Sequence, residues 1–299
     1  MAGTAIDFTL GARRLVAVPR QLSTWAFGLA EVLGEALPTA PPPGRDGVRV
    51  LSAPQARLAA VMTAYPGMVA GGRQDYRRHY IDMRGSFADY MARFSGKTRA
   101  TLRRKARKLA AAAGGYAVTA HRTPAEIEAF LAAALPLSAK TYQARLLGAG
   151  LPEGADARRA MLEAAEDDRL RAFLLHAAGA PIAYLALPVT GATLVYAHVG
   201  HDPAHARLSP GTVLQLEALE RLFAERRYRW FDFTEGEGAH KALFGTHHAA
   251  CTSLVLLTPT LANRALLAAR AGFDGTVAQA KALAQRSGAL GRLRGLLRA

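Results

Sequence analysis

Cysteine occurs once, at Cys251, so this 299-residue chain can form no internal disulfide, no redox CxxC pair and no zinc ribbon. The covalent staple of small secreted folds is therefore absent, and a reducing compartment is expected. Nor does any stretch reach the roughly 18 consecutive apolar residues needed to span a bilayer. The opening segment, MAGTAIDFTLGARRLVAVPR, lacks a basic region followed by an uninterrupted apolar run, which leads to the expectation of a cytoplasmic protein. No repeat of solenoid period is present. Acidic side chains are scarce, 23 against 38 Lys plus Arg, giving a formal charge of +15.

Half of the residues are hydrophobic (51%) and a fifth are charged (20%), enough to bury a core and unlike a disordered chain. The charge is unevenly placed. Residues 93–108 (RFSGKTRATLRRKARK) hold eight basic side chains and no acidic one, and residues 262–299 hold seven basic and one acidic. Together these segments carry +14 of the +15, so the body of the chain is close to neutral. A protein built to wrap duplex DNA would spread its phosphate contacts more widely. The charge is thus assigned to docking rather than to chemistry.

The order of elements reads as mixed α/β. A hairpin about Gly11-Ala12, an apolar helix near 23–36 and the irregular PTAPPPGRDG come first. Strands at 47–52 and 77–83 flank a helical PQARLAAVM. Ser86 caps FADYMARF, and a second helix runs from Ser95 to about Ala113, where Gly114-Gly115 stops it. After a strand at 116–120, Thr123-Pro124 opens a helix in the cap-then-proline order. A glycine-containing loop (148–156) and another helix lead to three closely spaced strands, 171–176, 182–188 and 193–200, an antiparallel meander. A helix at 211–226 then crosses over to a parallel strand, RWFDFT, and a short helix around HKALFG precedes the last strand, 251–257.

Two segments carry candidate chemistry. In Arg207-Leu208-Ser209-Pro210-Gly211-Thr212, Ser209 suits an N-cap, Pro210 the first helical position, and Gly211 a close approach to the backbone. The helix has no acidic residue before Glu217, so its N–H groups and dipole are open to an anion, with Arg207 alongside. An ordinary Ser-Pro helix start with a surface arginine fits the same residues. The second segment, FDFTEGEGAHKALFG, gathers Asp232, Glu235, Glu237, His240 and Lys241 beyond a strand's C-terminal end, where open α/β sheets present ligands. A carboxylate or histidine there can take a proton from an attacking amine, and a lysine can stabilise an oxyanion. Loop bracing by Asp232 and solvation of both glutamates are the plainer readings.

Other signals carry less. Gly96-Lys97-Thr98 resembles the end of a P-loop, but its leading glycine would stand at Met91. His198, His201 and His205 share no face, so no metal is expected. Cys251 lies in an apolar strand and reads as core. The basic helix has no stacking aromatics beyond Phe94, and the Leu- and Arg-rich tail fits either an anionic membrane surface or a frayed end.

Taken together, SGKTRATLRRKARKL, YAHVGHDPAHARLSPGTVL and WFDFTEGEGAHKALFG, in this order, resemble the GNAT acyltransferases, and within them the CelD-type, FemAB-like branch of bacterial polysaccharide biosynthesis. The resemblance covers residues 90–257 or so. It implies a GNAT-like fold in two halves, the N-terminal one degenerate: 1–92, an acyltransferase domain over 93–258, and a basic helical tail over 259–299. It further implies an acyl-thioester donor, acetyl-CoA or another acyl-CoA, held by Arg207, Ser209, Gly211, Thr212 and Val199, with Lys241 facing the reacting carbonyl and Glu235, His240 and Asp232 nearby. Pro210 and Thr212 depart from the usual donor loop of an Arg or Gln followed by Gly-x-Gly or Gly-x-Ala, and His240 stands where an aromatic often precedes the lysine. The expected activity is N-acylation, most simply acetylation, of an amine on a sugar or cell-envelope precursor, with the tail reaching the inner face of the membrane. Two alternatives are an aminoacyl-tRNA donor, with helix 93–108 tracking the RNA, and a non-catalytic scaffold of an envelope-polysaccharide machine.

Overall fold

The structure, a computed structural model, describes residues 4–10, 13–141 and 150–286. The expected turn at Gly11-Ala12, the start of the 148–156 loop and the end of the tail lie outside these residues.

In chain order, β1 (Thr4–Leu10) and β2 (Arg13–Arg20) pair antiparallel. Next comes a difference from the sequence expectation: where an apolar helix was predicted over 23–36, residues Leu22–Ala26 form strand β3 and only Leu29–Leu33 form helix α1. Ser23 to Trp25 face Val48 to Val50 of β4 (Gly47–Pro54) in a parallel register. Pairing with a buried neighbour overrides the helical reading of an apolar run, and Thr24 and Trp25 suit a strand. Residues 38–46 of the PTAPPPGRDG segment have no helix or strand, and Gly47 opens β4. Helix α2 (Leu58–Thr63) leads to β5 (Val69–Asp82), which starts earlier than expected.

Helices α3 (Phe87–Ala92) and α4 (Gly96–Ala113) begin as their caps predict. The Ser86 hydroxyl accepts from the Asp89 N–H and the Ser95 hydroxyl from the Thr98 N–H. Gly114 ends α4 at φ 66°, a left-handed conformation that glycine adopts without strain. Strand β6 (Tyr116–His121) and α5 (Pro124–Ala139) follow, the latter with a Thr123/Glu126 capping box. Helix α6 (Ala155–Glu166) precedes β7 (Leu170–Ala177) and β8 (Ala180–Thr190). The third strand of the meander is divided into β9 (Thr193–Val195) and β10 (His198–His201). A 3-10 turn (Pro203–Leu208), α7 (Pro210–Ala224), β11 (Trp230–Asp232), α8 (Ala239–Phe244), β12 (His247–Leu257) and α9 (Leu261–Arg286) complete the chain.

The chain divides into two compact units, one of residues 1–76 with 250–299 and one of residues 77–249, and passes between them inside β5 and inside β12. In the first unit β3, β4 and β12 are neighbours, and Ile6, Leu257 and Leu267 share a core. Leu267 and Asn263 are buried there, so the start of the basic tail is part of this unit. Asn263 accepts from Arg20 and donates to Thr258.

In the second unit the strand order is β5, β11, β9, β8, β7, β6. Strand β7 reads as one apolar run because both of its faces are covered. Phe173, Leu175 and Ala177 pack into a cluster with Leu102 and Leu109 of α4 and Leu214, Leu219 and Leu222 of α7, while Leu170, Ala172 and Leu174 pack with Ile127, Phe130 and Leu131 of α5. The helices thus form a layer on each side, the arrangement of a mixed α/β fold.

Candidate active site

The site begins where β9 and β10 part. β9 pairs parallel with β11, as the helical crossover predicts. The Tyr196 N–H donates to the Asp232 carbonyl at 2.8 Å, and beyond that point β10 pairs with β8 alone. The Asp202 N–H donates to the Ile182 carbonyl, and His198 and Gly200 face Ala186 and Tyr184. Antiparallel pairs alternate, so the backbone of Val199 and His201 is turned away from β8, toward the gap that β11 leaves. Gly200 is required here: a Cβ would meet the buried Tyr184 ring at 2.4 Å.

At one end of β10 stands the N-terminus of α7, where the structure corrects one expectation. Ser209 does not cap the helix with its side chain. It is left-handed (φ 56°, ψ 46°) because it also closes the 3-10 turn before it, and a side-chain cap needs an extended residue. Its carbonyl takes the Thr212 and Val213 N–H groups at 3.1 and 3.2 Å, and Pro210 has none, so the Gly211 N–H alone in this first turn lacks an acceptor among the described residues. A Cβ on Gly211 would meet only His201 Nδ1, at 3.9 Å, so the side of its Cα where a side chain would stand is open.

The basic helix comes to the same place. Lys105 Nζ donates to Thr212 Oγ1 at 3.4 Å, and Lys108 Nζ to the Arg207 carbonyl at 3.1 Å. Together with the exposed Arg207, these lysines surround the positive end of α7 with cations. The basic segment, outside the candidate site in sequence, is brought beside its helix end in space, because α4 packs against α7. From sequence, Lys105 and Lys108 belong with Arg103, Arg104 and Arg107 to a basic helix able to bind RNA, an anionic glycan or a phosphorylated donor, and no local signal singles these two out from their six basic neighbours.

At the other side of the gap lies the loop after β11. Asp232 is 1% exposed, and both carboxylate oxygens are taken by Arg78, itself 6% exposed; Nε meets Oδ1 at 3.0 Å and a terminal nitrogen meets Oδ2. Asp232 also accepts the Thr234 N–H, while the Phe233 N–H donates to the His79 carbonyl. Glu237 accepts the Arg77 N–H at 2.9 Å, and the Arg77 hydrogen bonds hold its carboxyl below the usual range. Thr234 and Gly236 take left-handed conformations to complete the bend. Three consecutive β5 residues, Arg77, Arg78 and His79, therefore fasten the loop.

Above this ion pair Lys241 Nζ donates to the Glu235 carbonyl, with the Glu235 side chain exposed. Burial lowers the lysine's pKa, with Asp232 opposing and Arg78 adding to the shift. His240 is exposed to solvent, while one side of its ring packs on Phe244 at 4.7 Å and on Tyr196 and Phe233 at 6.2 Å. Partial desolvation against those rings pushes the imidazole's pKa down, and the nearby Lys105 and Lys241 cations add to the shift. His240 Nε2 lies 2.6 Å from Oε1 of the buried Gln215. Burial of Tyr196 raises its pKa, so this hydroxyl stays protonated. Lys241, His240, Glu235 and Asp232 thus fall in one cluster, and Arg207, Ser209, Gly211 and Thr212 at the helix end, with Val199 on the strand between the flanking turns. Tyr196, Gln215 and Arg78 join the cluster without a sequence signal.

Of the remaining candidates, Cys251 is buried in the first unit. No group of three or more metal-ligating side chains occurs among the described residues, nor a helix long and apolar enough to cross a membrane.

Residues 96–242 match the family model described as "Acetyltransferase (GNAT) domain". No curated protein sequence matches the chain. Among solved structures, the C-terminal domain of a lysylphosphatidylglycerol synthetase-like protein from Agrobacterium fabrum is similar at TM-score 0.51 and 15% identity, over 75% of this chain and 72% of that one. FemX is similar at TM-score 0.48 and 10% identity, over 71% of this chain and 72% of that one. A GCN5-related N-acetyltransferase from Kribbella flavida gives TM-score 0.38 and 17% identity, over 72% of this chain and 70% of that one. The family match spans α4 through the start of α8 and so contains the parted strands, the cation-ringed helix end and both Lys241 and His240. Residues 96–242 of the chain thus match an acetyltransferase (GNAT) domain, the domain of an acyltransferase.

Proposed function

We propose that the protein is an N-acyltransferase that moves an acyl group, most simply acetyl, from acyl-CoA to an amine on a sugar or cell-envelope precursor. The observation that carries this reading is the placement of an anion-binding helix end and an aromatic-backed Lys/His pair on either side of one gap in the sheet. The donor's diphosphate would meet the Gly211 N–H, Arg207, Lys105 and Lys108. Its amide-bearing arm would follow the outward backbone of Val199 and His201, as a strand adds to an open edge.

The amine nitrogen attacks the thioester carbonyl carbon, and the oxygen gains negative charge that the Lys241 ammonium stabilises. His240 takes the proton that the amine loses. The carbon–sulfur bond then breaks, leaving an amide and the CoA thiolate. Asp232 acts from below, holding Arg78 and the loop in place. Glu235 fixes Lys241 through its backbone carbonyl.

The pH dependence follows. His240 acts as base only when neutral, and its pKa is lowered from 6.5, so turnover should fall on the acid side at a pH below 6.5. Lys241 acts only when protonated, and its pKa is lowered from 10.5, so turnover should fall again as pH rises, at a pH below 10.5. A kcat profile checks both limbs: His240→Asn should erase the acid one and Lys241→Arg should move the alkaline one upward.

Donor binding is tested by thermal shift with acetyl-CoA, longer acyl-CoAs and free CoA, since a ligand specific to the folded state raises the midpoint. Arg207→Ala should weaken the shift by about tenfold in apparent Kd, the worth of one charge-assisted contact. No shift with any CoA would redirect the reading to aminoacyl-tRNA as donor. Arg103, Arg104 and Arg107 of α4, exposed and without an ion pair among the described residues, favour that as the second reading.

A further inference from the structure

Gln215 sits in the second turn of α7, is 1% exposed, and places Oε1 2.6 Å from His240 Nε2. Its amide nitrogen is buried with no acceptor among the described residues. Leaving such a donor unmatched carries an unrepaid desolvation cost, which a leucine or methionine filling the same space would avoid. Packing alone therefore does not account for a glutamine here.

We propose that Gln215 is a positioning residue: its side-chain carbonyl accepts the Nε2 proton of His240, which fixes the imidazole tautomer and leaves Nδ1 as the basic nitrogen. This inference rests on the reading of His240 as the proton acceptor. A neutral imidazole carries one N–H and one lone pair, and a carbonyl at Nε2 decides which nitrogen is which. Every other neighbour leaves that choice to Gln215. Phe233 and Phe244 offer no hydrogen bond, Tyr196 packs by its ring, and Lys105 of α4 and Lys241 of α8 act on the ring as cations that disfavour a second proton. The neutral amide matters as well. A carboxylate at position 215 would attract the imidazolium and leave the ring charged, unable to accept the amine's proton.

The test is long-range proton–nitrogen NMR of the full chain labelled with 15N-histidine, with His240→Asn identifying the His240 signals. The wild type should show His240 protonated at Nε2, and Gln215→Leu should lose the dominance of that tautomer. In Gln215→Glu, which keeps size and polarity should the leucine variant fail to fold, the His240 titration midpoint should rise by about one pH unit or more. A wild-type ring protonated at Nδ1, an unchanged tautomer in Gln215→Leu, or an unmoved midpoint in Gln215→Glu would each overturn the proposal. Turnover is read separately: a lost tautomer with undiminished turnover keeps the positioning role and removes His240 as the base.

Discussion

Lys241→Ala is expected to lower kcat for acyl transfer by about 100- to 1000-fold, the usual cost of removing one oxyanion donor, while donor affinity stays near that of the wild type. The reason lies in where the lysine is held. Its ammonium is tied to the Glu235 carbonyl on the loop and lies near the Asp232–Arg78 pair, whereas the donor-binding cations Lys105, Lys108 and Arg207 gather at the N-terminus of α7. A charge that develops only in the transition state is felt by the first group and not by the second. Pre-steady-state acyl transfer alongside acetyl-CoA titration separates the two effects. Equal turnover in the variant, or a loss confined to donor affinity, would remove Lys241 from the chemistry.

Arg78→Met is expected to have the largest effect on stability, about 3–5 kcal/mol, because it leaves the Asp232 carboxylate charged and unpaired in the core. The partners are 6% and 1% exposed, so water cannot compensate. For a unit of this size the thermal midpoint should drop by roughly 10 °C. Asp232→Leu alone should cost a similar amount, by stranding the guanidinium. The double variant should be more stable than either single one, since an apolar pair of similar volume replaces a buried ion pair with little loss. A double-mutant cycle by calorimetry or urea unfolding reads the coupling, and additive losses would show that the pair does not act as a unit. The double variant should nevertheless lose turnover, because the loop that carries Glu235 and Lys241 is fastened through Asp232 and its Thr234 contact.

The local structure was largely legible. Ser86, Ser95 and Thr123 announce helices that begin where they stand, and Gly114 marks a stop that the backbone adopts. The meander followed from close spacing and glycine-containing, hairpin-length joints, and the parallel relation of β9 and β11 from the helical crossover between them. The two misreadings have different causes. Residues 22–26 look apolar enough for a helix but pair with β4, a partner more than twenty residues away. Ser209 has the residue type of a cap, yet it must also close a 3-10 turn, which forces a backbone conformation that a capping side chain cannot use.

The candidate site was legible in part. Lys241, His240, Glu235 and Asp232 lie within ten residues, so their clustering needed only a loop. The motif order from SGKTRATLRRKARKL to WFDFTEGEGAHKALFG, with the uneven placement of charge, was fixed by the chain itself and led to the acyltransferase family. Other features depend on packing across the sheet: that Lys105 reaches Thr212, that Arg78 lies under the loop, and that Gln215 meets His240. These contacts join residues 107, 154 and 25 positions apart, through side chains whose local surroundings resemble those of any solvated arginine, lysine or glutamine. Sequence determines propensity and short-range neighbours. Which distant polar groups lose their water together, and so must pair or act, is decided only when the layers close.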